Sequence, residues 1–133
     1  MIFTTLDKRE VVLAMKLMIE ADAVHHPSEK LMFDCIYNSL NISNTEGLAI
    51  MDYFVETQNN KGAIEKHLST ISRWSLDKKK DLISILTVMA TIDKNIDDKE
   101  SKLLTQYRIN CGLDYEGFSF LEAMKNAKKF IIK

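Results

Sequence analysis

"LISILTVMATIDKNIDDKESKLL", residues 82–104, is the stretch of sequence that decides the fold. Its first half repeats apolar side chains at i, i+3, i+4, i+7 and i+10, which is the spacing of an α-helix. The residues at this spacing are Leu82, Ile85, Leu86, Met89 and Ile92. Ile83 and Val88 extend the apolar surface around most of the circumference, as in a helix that neighbours cover on several sides. We therefore predict a central helix here, followed by an acidic connection into the next helix.

The same helical spacing recurs along the rest of the chain. No stretch shows clean two-residue alternation flanked by turn residues, and one proline and four glycines leave little punctuation for β-turns. The length of 133 residues suits one domain around one core. We predict an all-α fold, as a single compact domain of about seven helices. The predicted helices span 5–22, 27–40, 44–57, 61–73, 76–93, 98–110 and 115–131.

An internal repeat appears when the chain is shifted by 71 residues. The aligned pairs are Val12 with Ile83, Met15 with Leu86, Met18 with Met89, Asp22 with Asp93, Glu29 with Glu100, Met32 with Leu103, and Ile36 with Tyr107. Repeat one then spans about 8–57 and repeat two about 79–131, with the helix at 61–73 as the link. We predict a pseudo-twofold arrangement in which the first and fifth helices pack against each other.

The turn after the second helix of each repeat also matches. Asn41 aligns with Gly112, and these two residue types best tolerate the left-handed conformation that ends many helices. Each is followed by an apolar residue and then by Ser43 or Asp114, both able to cap the N-terminus of a following helix. The alignment therefore predicts the same helix–turn–helix geometry twice.

The acidic residues of the two connections have a structural explanation in part. Asp97 and Glu100 form the D-x-x-E pattern of a capping box, and Pro27 with Glu29 suits the first turn of a helix. Helix capping does not explain Asp22 and Asp93. Each lies at the C-terminal end of an apolar helix, where a carboxylate faces the negative end of the helix dipole.

Two interpretations remain open for these aspartates. Their carboxylates could accept hydrogen bonds from the following loop or from the free N–H groups of the next helix. Alternatively, each connection could hold a hard divalent cation, Ca²⁺ or Mg²⁺, because carboxylates, loop carbonyls and water suit such ions. The candidate ligands are Asp22, Glu29, Asp93, Asp97 and Glu100.

Two more specific metal sites fit poorly. Residues 93–104 lack the glycine at the sixth position of an EF-hand loop, and Leu104 stands where the bidentate Glu would be. His25 and His26 invite a transition metal, but Ile96 and Asp97 occupy those positions in the second repeat. We therefore interpret the histidines as loop residues outside the repeated design.

Composition narrows the class of protein further. The net charge of −1 and the absence of basic–aromatic interleaving argue against nucleic-acid binding. Cys35 and Cys111 lie in apolar helical patterns without metal spacing, which favours reduced core cysteines. No signal peptide starts the chain, and the longest apolar run is too short to span a bilayer, so we expect a cytoplasmic protein without a transmembrane segment.

Two segments resemble the signature of the TerB-like, tellurite-resistance-type family. They are "MIEADAVHHPSEKLMFDCIYNSLNIS" (18–43) and "VMATIDKNIDDKESKLLTQYRINCGLD" (88–114). In that family an apolar helix runs into Ala-Asp-Gly, an aliphatic residue follows, and the next helix starts with an acidic turn and ends in a Gly-aliphatic turn. The resemblance implies an all-helical pseudo-symmetric domain whose acidic connections bind a divalent cation. The matching positions are Asp22, Glu29, Asp93 and Glu100, with Asp97 as an additional ligand.

This chain also departs from the family pattern. The glycine after the Asp is Ala23 in the first copy and Lys94 in the second, and His25 replaces the usual aliphatic residue. The first connection is less acidic, so if only one connection binds a cation, we expect it to be the second.

The sequence therefore supports two functional hypotheses. The first is a non-catalytic TerB-like domain with a divalent-cation site, acting with other proteins in a stress-response or envelope-associated complex. The second is a protein–protein interaction module whose acidic residues only cap helices, with Phe118, Phe120 and the 130–132 tail as candidate contacts. An enzyme is disfavoured because the sequence shows no nucleophile–base motif, phosphate loop or zinc signature. The oligomeric state is not fixed by the sequence.

Overall fold

The computed structural model describes residues 2–21, 27–58, 60–92 and 98–131. Within these ranges the chain forms seven α-helices and no strand, which confirms the predicted all-α fold and the single compact domain. The helices are α1 (Thr5–Glu20), α2 (Pro27–Ser39), α3 (Asn44–Gln58), α4 (Lys61–Ser72), α5 (Leu76–Thr91), α6 (Asp98–Cys111) and α7 (Phe120–Ile131).

Side chains that cap the N-termini fix where several helices begin. Thr4 and Asp7 form a reciprocal capping box at the start of α1, in which each side chain accepts a backbone N–H of the other residue. Ser43 and Glu46 form the same reciprocal pair at the start of α3. The Ser75 hydroxyl accepts the backbone N–H of Lys78 at the start of α5. These bonds satisfy N–H groups that the first turn of a helix leaves without partners.

Helices α1 and α5 form the centre of the domain, as predicted. Residues 11–15 of α1 and 81–90 of α5 are all buried, and each helix contacts the other. The contacts around them follow the internal repeat: α1 packs against α2 and α3 as α5 packs against α6 and α7, and α2 touches α5 as α6 touches α1. Burying one of the core Leu, Ile or Met side chains contributes about 1.5–3 kcal/mol.

Helix α4 breaks the symmetry of this arrangement. It contacts α3 on one side and α6 on the other, so it lies between the end of the first repeat and the middle of the second. Its inward residues, His67 and Ile71, are fully buried. The linking helix therefore contributes to the core.

The matched turns have the predicted backbone. Asn41 has φ of 53° and Gly112 has φ of 67°, both in the left-handed region. Ile42 is partly buried and Leu113 is buried, so the residue after each turn returns to the core. The shift of 71 residues thus relates the two helix ends in backbone conformation as well as in sequence.

The last helix differs from its sequence-based prediction. We expected a helix from residue 115, but residues 115–117 form a turn and α7 begins at Phe120, capped by the Ser119 hydroxyl. Asp114 does not cap this helix as predicted: its Oδ1 accepts the backbone N–H of Gly117 at 2.7 Å within the turn. The chain then leaves the helical path to bury Phe118, whose carbonyl accepts a hydrogen bond from Arg108.

Candidate functional site

The candidate metal ligands divide into described and undescribed residues. Asp22, Asp93 and Asp97, together with His25 and His26, lie in 22–26 and 93–97, outside the described residues. Glu29 and Glu100 are described, and each is the third residue of its helix. Both are almost fully buried, with 2% and 1% of their surface exposed. The repeat therefore places a buried glutamate at the same point in each half.

Glu29 has an unusual environment for an acidic side chain. Neither of its carboxylate oxygens has a hydrogen-bond donor among the described residues. A buried carboxylate without donors is costly, so proteins pair it, protonate it or bind a cation beside it. Within the described part of the chain, no group of three or more His, Cys, Asp or Glu residues is arranged so that it could hold a metal ion. A cation at Glu29 would thus need ligands from the connection before α2.

A buried polar network that the sequence did not reveal lies at the centre of the domain. His67 of α4 donates from Nδ1 to Glu10 Oε2 of α1 at 2.9 Å. Its Nε2 meets the hydroxyl of Tyr107 of α6 at 2.8 Å. Tyr53 of α3 donates to Glu10 Oε1 at 2.5 Å. Four helices are thereby connected through one imidazole ring and one carboxylate.

Burial accounts for the protonation of the two phenols in this network. Desolvation raises the pKa of Tyr107 far above its usual value, and the negative charge of Glu10 acts in the same direction. Desolvation also raises the pKa of Tyr53, and its hydrogen bond to Glu10 adds to the shift. Both phenols therefore remain protonated and can donate, Tyr53 to Glu10 and Tyr107 to Nε2 of His67.

The two central helices carry buried carboxylates at equivalent positions. Asp81 of α5 lies 71 residues after Glu10 and is only 3% exposed. Asn126 of α7 donates to Asp81 Oδ1 at 2.9 Å and to the hydroxyl of Ser84 at 2.8 Å, and Lys129 pairs with the same carboxylate. Tyr53 of α3 and His67 of α4 bond Glu10, whereas Asn126 and Lys129, which bond Asp81, both belong to α7.

A polar cavity of about 410 Å³ adjoins Glu10 and Tyr53. Arg9 and Lys66 contribute cationic walls, and the start of α4 at Asn60 forms one side. His67 and Tyr107 are not among the residues that line this cavity, and they are 0% and 1% exposed. The His67 imidazole therefore stabilises the interior and does not face a ligand at this surface.

Apolar side chains exposed on α3 form a separate surface. Leu48, Met51 and Val55 lie at i, i+3 and i+7 of one helix, and 67%, 61% and 57% of their surfaces are exposed. The aromatic residues that we considered as contacts from sequence behave differently. Phe118 and Phe130 are buried at 5% exposure, Phe120 is 39% exposed, and residues 132–133 lie outside the described ranges.

Comparison with known proteins supports the fold alone. Neither protein-family models nor curated proteins gave a match. The structure is similar to a solved protein of unknown function from Porphyromonas gingivalis W83, with a TM-score of 0.70 and 23% sequence identity. The similarity covers 96% of this chain and 98% of that chain. The helical arrangement therefore occurs over the full length of another protein.

None of the helices within the described ranges is both long and apolar enough to cross a membrane.

Proposed function

We propose that the chain is a non-catalytic, TerB-like helical domain that binds a divalent cation through its acidic helix–helix connections. It would act with other proteins in a cytoplasmic stress-response complex of the tellurite-resistance type or in an envelope-associated complex. The observation that supports this proposal is the buried Glu29 carboxylate, whose two oxygens have no donor among the described residues. Glu100 at the equivalent position of the second repeat is buried to the same extent.

The donor set fits a hard cation better than a transition metal. Each connection offers carboxylates and backbone carbonyls, which are the ligands that Ca²⁺ and Mg²⁺ prefer. Asp22 would join Glu29 in the first connection, and Asp93 and Asp97 would join Glu100 in the second. A bound cation there would neutralise buried negative charge and stabilise the folded state by mass action.

Titration calorimetry with Ca²⁺, Mg²⁺, Mn²⁺ and Zn²⁺ tests this proposal. Glu29→Gln and Glu100→Gln should each weaken cation binding. Glu122→Gln is a matched control, because Glu122 is also the third residue of its helix but is exposed. Absence of heat with all four ions at millimolar concentration would contradict the proposal.

Unfolding measurements give a second test at Glu29, because the effect of the substitution on stability should depend on whether a cation is present. Without cations, Glu29→Gln should raise the free energy of unfolding, because it removes a buried carboxylate whose oxygens have no donor among the described residues. With a saturating cation the wild type should gain stability, by about 2.7 kcal/mol at a hundred times the dissociation constant, and the variant should gain less. Equal gains in both proteins would exclude Glu29 as a ligand.

The exposed face of α3 supports a second candidate function, a protein-interaction module. Its apolar stripe is accompanied on the same helix by Glu46, Asp52 and Glu56, and the helix contains no Lys or Arg. Such a surface suits a partner with an apolar strip and a basic rim. Met51→Lys should abolish capture of that partner, while the double variant Asp22→Asn/Asp93→Asn should retain it. The reverse pattern would favour the cation-dependent function.

A further inference from the structure

The guanidinium of Arg108 occupies a closed environment at the C-terminal end of α6. Arg108 is 1% exposed, although it lies in the last turn of its helix, where basic residues usually face solvent. Its Nη1 donates to the carbonyl of Leu113 at 3.3 Å and to that of Phe118 at 2.7 Å. The ring of Tyr115 covers one face, with its centroid 4.2 Å from the guanidinium carbon. The loop before α7 thus wraps around this side chain.

The other edge of the guanidinium carries two further N–H donors. Its Nε and Nη2 atoms are buried and have no acceptor among the described residues. These two N–H groups point in parallel and form the fork that binds a carboxylate through two hydrogen bonds. Burial lowers the pKa of Arg108 from its usual value, with Tyr115 opposing the shift, but a guanidinium in a protein remains charged. Among the described residues, therefore, no carboxylate is bonded to this edge of the buried guanidinium.

A cavity of about 220 Å³ adjoins this guanidinium. Ile109 and Leu113 provide apolar walls, and Tyr115 lies at its edge. Gly112 also lines it, and a Cβ built on this glycine would meet no atom within 4 Å, so the space beside the turn is open. The Asp114 carboxylate, also in the lining, accepts the backbone N–H of Gly117.

The site is specific to the second half of the chain. Tyr37 stands at the position equivalent to Arg108 in the first repeat. There the chain enters α3 directly after the turn, and Tyr37 packs against Gly47. The late start of α7 is what creates the loop and the cavity around Arg108. The guanidinium is therefore a local addition to the repeated framework.

We propose that this cavity binds a carboxylate carried on a small apolar group, with the carboxylate held by Nε and Nη2 of Arg108. The apolar part lies against Ile109 and Tyr115. Since Tyr115 is 51% exposed and belongs to a turn, its ring moves aside to admit the ligand. The carboxylate comes either from a free small organic acid or from the C-terminal residue of a peptide. A volume of about 220 Å³ admits a group of this size and no larger cofactor.

The test uses the full-length protein labelled with ¹⁵N, and it follows the side-chain Nε–H signal of Arg108. The free-acid probes are 3-methylbutanoate and benzoate, and the peptide probe is a hexapeptide that ends in leucine with a free carboxylate. The matched neutral probes are the corresponding amides. We expect saturable shifts with the carboxylates and at least about tenfold weaker binding of the amides, because the amides lack the charge and offer only one acceptor. A response to the peptide alone identifies a chain terminus as the ligand, and a response to the small acids identifies a free acid.

Variants at Ile109 separate ligand binding from folding. Ile109 is 75% exposed, so Ile109→Glu and Ile109→Gln should both fold, and they differ only in charge at the mouth of the cavity. Ile109→Glu should bind benzoate at least about tenfold more weakly than Ile109→Gln. Leu121→Glu, at an exposed position on α7, should bind as the wild type does.

Arg108→Lys keeps the positive charge but removes the two parallel N–H donors. If circular dichroism shows that this variant folds, it should no longer bind the carboxylate probes. If it does not fold, the Ile109 pair decides the question. Three results would overturn the proposal: no shift of the Arg108 signal up to about 20 mM carboxylate, equal binding of acids and amides, or equal affinities of the two Ile109 variants.

Discussion

Removing the Tyr107 hydroxyl tests whether the buried network stabilises the domain. In Tyr107→Phe the ring remains in the core, but His67 Nε2 loses the partner that lies at 2.8 Å. Both residues are almost completely buried, at 1% and 0% exposure, so water does not readily replace the lost bond. A buried polar group without a partner costs about 1–3 kcal/mol, and we expect a loss of this size in the free energy of unfolding.

Urea denaturation at neutral pH measures this loss, with an unchanged m-value showing that both proteins expose the same surface on unfolding. Tyr37→Phe is the control. Tyr37 is only partly buried and lies outside this network, so the change should alter the free energy of unfolding by no more than about 0.5 kcal/mol.

A double-mutant cycle then tests whether the bonds act through His67. Glu10 and Tyr107 share the two nitrogens of this ring, so their effects should not add. Combining Tyr107→Phe with Glu10→Gln should give a coupling of about 0.5–3 kcal/mol. A loss below about 0.5 kcal/mol for Tyr107→Phe, or additivity of the two changes, would refute the reasoning.

Three further predictions concern the turn, an ion pair and a thiol. Gly112→Ala should cost about 1–2 kcal/mol of unfolding free energy, because φ of 67° strains any residue with a Cβ even though the space there is open. The pKa of Asp7 is lowered, because its bonds to Lys78 and Thr4 outweigh the effect of burial, so its contribution to stability is present above pH of about 4 and is lost as pH falls. Asp7→Asn should therefore flatten the acid limb of a stability–pH profile, and an unchanged limb would count against this ion pair. Burial raises the pKa of Cys111 to about 11, so Cys111 should react with a thiol reagent at pH 8 more slowly than Cys35. The two rates should become equal when urea unfolds the protein.

The local patterns of the sequence predicted most of the framework. Helical spacing around residues 82–92 predicted a buried central helix, and α5 is buried along 81–90. The alignment of Asn41 with Gly112 predicted two left-handed turns, and both have positive φ. These features are recoverable because each depends on residues within one or two helical turns, where spacing and side-chain type determine the outcome.

The functional residues were harder to predict. The acidic pattern identified Glu29 and Glu100 as notable, and their burial was not evident because glutamates in a first turn usually face solvent. His67 had no visible partner, since Glu10 is 57 residues before it and Tyr107 is 40 residues after it. A signal that could have suggested the network is the charged Glu10 within the apolar spacing of the first helix.

Apart from the start of α7, the sequence alone determined the seven helical segments, the repeat and its matched turns, because periodicity and turn chemistry are properties of neighbouring residues. Only the tertiary structure decided which polar side chains meet. The placement of α4 brings His67 between Glu10 and Tyr107, and the burial of Phe118 delays α7 and encloses Arg108. Such contacts join residues from different helices or across an irregular loop, and their existence depends on how the helices pack.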